Sequence, residues 1–174
     1  MRLPPVLSAD DLPAPELYAA RLDGQLFAIG GCFAPVDEIE QPRHRARALL
    51  SALGGKLIAE QLTAAWVWGA LDSPPAHHQF CVATGARVSH SPARWMTVRE
   101  VVIDPDELVD LGGAYVTGPT RTIMDLARFC PTFDLAVARR LVGVGASPQR
   151  AIESILARRN LPNKKSTVER LSRC

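Results

Sequence analysis

Val116-Thr117-Gly118-Pro119-Thr120-Arg121-Thr122-Ile123-Met124-Asp125-Leu126-Ala127-Arg128 is the stretch that decides how this chain folds. Ala114 to Thr117 predicts a short strand that runs into Gly118. Pro119 then brings a fixed φ and no amide hydrogen to the first helical position, where neither is a handicap. Ile123, Leu126 and Ala127 recur at helical spacing and predict a core-facing stripe on a helix reaching about Arg128. Arg121 and Asp125 stand four apart, so they can pair on one helix face and fix its start. An arginine and an aspartate without a nucleophile and base beside them are no catalytic set, so no catalytic residue and no cofactor site is assigned.

Upstream of this turn, β-branched and apolar residues predict strands over Gln79–Thr84 and Met96–Ile103, with a loop over Gly85–Pro92 and a turn at Asp104-Pro105. Lys56 to Ala59 predicts one short buried strand, and Glu60 to Ala70 a helix rich in Ala and Trp. Pro42 opens a helix through Leu53, with Ala46, Leu49, Leu50 and Leu53 on one face, Arg43, Arg45 and Arg47 largely on the other, and Gly54-Gly55 as its stop. Earlier still, Ser8 can cap a short turn, Pro15 starts a helix over Glu16–Leu22, and Gly30-Gly31 joins two short strands, Gln25–Ile29 and Cys32–Ala34. A helix and a hairpin are half of a winged helix, and only about a dozen residues precede them, so this unit reads as vestigial. Downstream, helices are expected over Asp134–Val142, from Ser147-Pro148 to near Asn160, and in a short piece from Ser166. The fold class is therefore α/β in the α+β sense: a vestigial winged-helix hairpin, a small mixed sheet with helices, and a helical C-terminal end. Residues 1–40 form the first segment and residues 41–174 the main domain.

Composition sets the outer bounds. The 174 residues are 47% hydrophobic and 22% charged, close to globular averages, which excludes a disordered or fibrous chain. No apolar run approaches the roughly 20 residues that cross a bilayer, and Met1 to Pro5 has no basic region followed by an apolar stretch, so a cytoplasmic protein with no membrane contact is expected. Cys32, Cys81, Cys130 and Cys174 are widely separated and read as reduced thiols. His44, His77, His78 and His90 lack neighbouring ligands at metal spacing, and Gly30-Gly31 and Gly112-Gly113 lack the lysine and the strand–loop–helix setting of a phosphate loop, so no metal or nucleotide site follows. The net charge of +2 conceals a gradient: residues 1–40 carry −5, residues 41–120 balance, and residues 121–174 carry +7.

Three strings, in order, carry a likeness: Thr63-Ala64-Ala65-Trp66-Val67-Trp68-Gly69-Ala70, Val98-Arg99-Glu100, and the stretch from Val116 to Arg128, with the wing-like Gly24 to Pro35 in place before them. Over about residues 16 to 160 the chain resembles the AbiEi antitoxins of abortive-infection toxin–antitoxin systems, in particular their actinobacterial branch. The resemblance implies a winged helix that binds the operon's own promoter, followed by a domain that neutralises an AbiEii-like nucleotidyltransferase toxin, with a role in phage defence. Trp66, Trp68, Arg99, Pro119, Arg121, Thr122, Asp125 and Arg128 are the family-motif positions, expected to be structural.

Charge refines that expectation. The would-be recognition helix, Glu16 to Asp23, is poor in basic residues and lies in a segment at −5, which a DNA polyanion repels. Partner binding is therefore the leading expectation, with Glu16, Asp23, Phe27, Phe33, Asp37, Glu38 and Trp66 as candidate toxin-binding residues. Trp66 is included because tryptophans two apart on a helix point in different directions, so either one is left for a partner surface or both pack under neighbouring strands. Arg139, Arg140, Arg158, Arg159, Lys164 and Lys165 form a candidate basic patch for promoter DNA or for an acidic surface of the toxin. Autorepression of the operon through that patch is the alternative function.

Overall fold

In the computed structural model, which describes residues 4–53, 57–86, 93–159 and 161–174, the chain begins with helix α1 (Ala14–Leu22) and an antiparallel hairpin of β1 (Leu26–Ile29) and β2 (Cys32–Pro35). Ile29 pairs with Cys32 across Gly30-Gly31, and Gly30 takes φ +57°, a conformation that suits glycine. Leu7 adds an antiparallel bridge to Phe33, and the Ser8 hydroxyl accepts from the Asp10 amide in the turn that follows. Alternation along β2 then divides the packing. Phe33 joins Leu7, Leu17 and Leu26 in a small local core, whereas Cys32 and Ala34 join Val6 and Ile29 in the main core of the molecule.

Helix α2 (Pro42–Leu53) buries Ala46 and Leu49 in that main core. Arg45 departs from the solvent-facing role expected of it: its Nη1 donates to the carbonyls of Trp66 at 2.6 Å and Leu71 at 2.8 Å, tying α2 to the next helix. The expected stop at Gly54-Gly55, together with Lys56, lies outside the described residues, as do most of the loop to Pro92 and Asn160.

A five-stranded mixed sheet follows, made of β3 (Ile58–Ala59), β4 (His78–Ala83), β5 (Met96–Val101), β6 (Leu108–Asp110) and β7 (Tyr115–Thr117) in the order β5-β4-β3-β7-β6. The β3–β7 and β4–β5 pairs are parallel, and β3–β4 and β6–β7 are antiparallel. The expected turn at Asp104-Pro105 extends further than its residues imply: a 3-10 turn over Pro105–Glu107 leads into β6, three residues too short to carry a period of its own.

Helix α3 (Gln61–Val67) is buried from Thr63 to Val67, which explains its lack of a polar face. It ends earlier than the expected Ala70, where Gly69 takes φ +81° and the Ala70 amide reaches back to the Ala65 carbonyl. Ala64, Trp66 and Val67 serve the main core, and Ala65 serves a second one built from α4 (Pro119–Phe129), α5 (Leu135–Gly143), α6 (Pro148–Ala157) and α7 (Lys164–Leu171). Asp134 caps α5 and Ser147 caps α6 through their side-chain oxygens. Helix α7 starts at Lys164 rather than Ser166, because Asn163 adopts the left-handed conformation that turns the chain into it. No described helix is long and apolar enough to cross a membrane.

Two histidines link this packing to pH. Burial, then Arg43, holds His44 below its ordinary value of 6.5 against the pull of Glu38 and Glu40; burial, then His77, does the same to His78. The folded state thus binds fewer protons than the unfolded chain around that value, and stability is lost as pH falls below it. The urea midpoint is expected to drop between about pH 7.5 and about pH 5.5, and His44→Leu is expected to drop less over the same interval.

Candidate functional site

The strand-to-helix turn at Gly118-Pro119 is the meeting point of the motif strings. Thr117 ends β7, and its carbonyl accepts the indole N–H of Trp68 at 2.9 Å. The Thr122 hydroxyl lies 3.0 Å from the carbonyls of both Thr117 and Gly118, and 2.8 Å from the Thr117 hydroxyl. Pro119 occupies the first helical position with Gly118 as cap. Trp68 and Thr122 are thus joined through one carbonyl, and α4 leaves the sheet in a fixed direction.

One turn along α4, charges converge in a buried cluster. Asp125 is fully enclosed and Arg121 nearly so. Arg121 Nε donates to Asp125 Oδ2 at 2.8 Å, and its Nη1 donates to Glu107. Arg99 reaches in from β5 and grips the buried Glu60 with two bonds, 2.6 and 2.5 Å, while its Nη2 stands 3.6 Å from Asp125. Arg128 Nη1 approaches Asp125 Oδ1 to 3.9 Å, and Arg158 on the far side of α6 approaches Glu107 to 3.5 Å. Glu60 is held in place at a backbone cost, since the next residue, Gln61, takes φ +48°, a left-handed conformation worth roughly 1–3 kcal/mol for a residue with a Cβ.

The electrostatics are those of a charge clamp. Burial works against Arg121 and Arg99, but Asp125 with Glu107 in the first case, and Glu60 with Asp125 in the second, hold both above the usual arginine value. Burial, then Glu60 and Asp125, pushes the neighbouring Cys81 thiol well up, which keeps it protonated and a poor nucleophile. The carboxylates are engaged by guanidinium groups, an arrangement suited to fixing elements in place rather than to moving protons.

Glu60, Glu107 and Arg158 are the members that sequence reasoning did not connect to the motif. One signal was present: Arg99 sits among Val98 and Val101 in a strand, and a cation at an inward position requires a buried carboxylate, though pattern does not say which. Arg170 was also missed; its Nη1 donates to the carbonyls of Ala127 at 3.0 Å and Cys130 at 2.9 Å, closing the end of α4.

The other candidates separate. Glu16, Asp23 and Asp37 are exposed and Glu38 is half-buried, all around α1 and the hairpin. Phe33 and Trp66 are buried and Phe27 packs against the main core, so the expectation of an exposed Trp66 is corrected: its indole packs under the hairpin, and it is Trp68 that remains partly accessible. In the basic patch, Arg139, Arg159 and Lys165 face solvent and Arg140 pairs with Asp72, but Lys164 donates to the carbonyls of Leu156 and Arg158 and thereby caps α6. His77 and His78 bond to Thr97 and Thr63, His44 lies on α2, and His90 lies outside the described residues. Among the described residues no group of three or more His, Cys, Asp or Glu is arranged to hold a metal.

A family model described as the AbiEi antitoxin C-terminal domain matches residues 58–164, which hold the five-stranded sheet and helices α3 to α6. No curated protein matches the chain. Among solved structures, the RV2827C protein from Mycobacterium tuberculosis is similar at 18% identity and a TM-score of 0.49, with 98% of this chain and 71% of that chain covered.

Asp125→Ala removes the anion shared by Arg121, Arg99 and Arg128 and leaves buried cations short of a partner. The expected loss is about 3–5 kcal/mol of unfolding free energy, read from urea denaturation, against less than about 1 kcal/mol for the exposed pair variant Glu169→Ala.

Proposed function

The chain belongs to the AbiEi antitoxin family, and from that premise we propose that it neutralises a cognate nucleotidyltransferase-like toxin in the cytoplasm by direct protein contact, without chemistry of its own. The observation that carries this reading is the surface at one end of the helix–hairpin segment. The Val36 amide donates to the Gln25 carbonyl, which sets Val36, just past β2, beside Gln25, three residues beyond the end of α1. Leu22 is 88% exposed, Val36 60% and Ile39 79%, and each is followed in the chain by an exposed acid, Asp23, Asp37 and Glu40, of which Glu40 also pairs with Arg45. An apolar centre with a charged rim is the make-up of a protein-binding patch. An enzyme that handles nucleoside triphosphate and RNA must present positive charge, so an acidic rim supplies electrostatic complementarity to it.

In this reading residues 1–40 are the contact segment and residues 41–174 the body that presents it. Glu16, Asp23, Asp37 and Glu38 touch the toxin, and Phe27, Phe33 and Trp66 support them from beneath. Removing the whole segment would strip Val6, Ile29, Cys32 and Ala34 from the main core, so charge reversal at exposed positions is the cleaner test. The triple variant Glu16→Lys, Asp23→Lys, Asp37→Lys is expected to fold normally, to associate about 10-fold more slowly with co-expressed toxin at low salt, and to lose growth rescue, with the difference shrinking as salt rises. Unchanged association and rescue would remove the acidic segment from the inhibitory role.

A second reading rests on the +7 balance of residues 121–174 and the exposed Arg139, Arg159 and Lys165: autorepression by promoter binding through the helical end. Gel-shift titration with the operon's upstream DNA at two salt concentrations tests it, and no retardation at low salt rejects it.

A further inference from the structure

Among the described residues, four guanidinium groups, those of Arg99, Arg121, Arg128 and Arg158, meet three carboxylates, those of Glu60, Glu107 and Asp125, so the cluster carries one cation in excess. The excess falls on Arg128. Among the described residues its nearest carboxylate oxygen, Asp125 Oδ1, is 3.9 Å from Nη1, beyond hydrogen-bond distance, and both Asp125 Oδ1 and Arg128 Nε are buried without a hydrogen-bond partner. Burial, and then the like charges of Arg121, Arg158 and Arg99, push Arg128 below the usual arginine value against the pull of Asp125. Unsatisfied buried polar atoms are rare in native proteins, and one reason for them is a bound group that completes the set.

Phe129 arranges the open side of this cluster. The ring is 42% exposed, with the guanidinium carbon of Arg99 at 4.0 Å and that of Arg128 at 4.5 Å from its centroid. Guanidinium groups packed on a ring are held rigidly with their N–H edges turned outward; in Arg99 the Nε and Nη2 groups are engaged by Glu60, which leaves Nη1 for a further partner. Arg158, with 33% of its side chain exposed and 3.5 Å from Glu107, supplies a third cation close enough to Arg128 to disfavour its charge.

We propose that Arg99 and Arg128, stacked on Phe129, together with Arg158 beside Glu107, form a binding site for a single phosphate group, free or as a phosphomonoester. A carboxylate offers two oxygens and is matched by one guanidinium fork, whereas phosphate offers three or more to donors arriving from β5, α4 and the end of α6. A polynucleotide fits less well: two guanidinium groups already cover the ring on which a base would stack, and Glu60, Glu107 and Asp125 line the back of the site against a continuous polyanion. The bound anion would neutralise the excess cation and tie the end of α4 to β5 and α6. None of the acidic residues assigned to toxin binding takes part, so the two readings fail independently.

Thermal unfolding of the full chain in inorganic phosphate, against chloride at matched ionic strength, tests the site. The midpoint is expected to rise by about 2–5 °C and to saturate, with adenosine monophosphate acting likewise and acetate not. Arg128→Gln is expected to abolish the rise and Arg139→Gln, on the exposed face of α5, to keep it. Arg158→Gln, at a more exposed position, serves as a second variant, and calorimetric titration of the unaltered chain with phosphate gives binding without any variant. No rise, a rise that does not saturate, an equal rise with acetate, or an undiminished rise in both Arg128→Gln and Arg158→Gln would overturn the proposal. So would binding of a short single-stranded oligonucleotide where phosphate itself does not bind.

Discussion

A carboxylate sealed from water remains an anion only where cations are brought to it, and Asp125 has three brought from different parts of the chain: Arg121 a turn before it, Arg128 a turn after it, and Arg99 from the edge strand of the sheet. Through Arg121 and Arg99 the same anion is coupled to Glu107 in the 3-10 turn and to Glu60 at the start of α3. Sheet edge, both ends of α4, the start of α3 and the end of α6 are therefore placed by one charge set. Apolar packing tolerates small slides between elements, but a buried ion cluster does not, because any displacement leaves a charge without a partner. The gain from such a cluster is less in raw stability than in the uniqueness of the arrangement.

Much of this architecture was legible in sequence, and the parts that were share a local cause. Gly118-Pro119 announces its turn through backbone chemistry alone, Gly30-Gly31 announces a hairpin, and Ser147-Pro148 announces a capped helix, each decided by residues within a few positions of one another. The Arg121–Asp125 pair belongs to the same class, since helical spacing delivers it. What was not legible depended on distant partners. Periodicity places Arg45 on a polar face, yet the carbonyls of Trp66 in α3 and Leu71 just past it draw it inward. Trp66 is buried and Trp68 partly accessible, and which of the two is covered depends on a hairpin far away in sequence. Glu60 and Glu107 look like ordinary helix-start acids until the fold places arginines opposite them.

The two ends of the chain carry opposite charge, and the fold gives each a different kind of support. At the helical end several cations are occupied with structure, Lys164 capping α6 and Arg170 closing α4, which leaves fewer for a partner than the total suggests. At the acidic end the exposed carboxylates sit on a small local core of Leu7, Leu17, Leu26 and Phe33, so their positions are set by short-range packing.

That small unit is nonetheless not separable from the body. A Cβ at Gly30 would come within 3.2 Å of the Trp66 ring, so the hairpin tip rests directly on the indole, and the reverse face of β2 is part of the main core. Whatever surface the hairpin offers thus persists only while the body beneath it is folded. A protease or a spontaneous opening that loosens the α3 region would dismantle that surface at the same time, tying its lifetime to that of the whole chain.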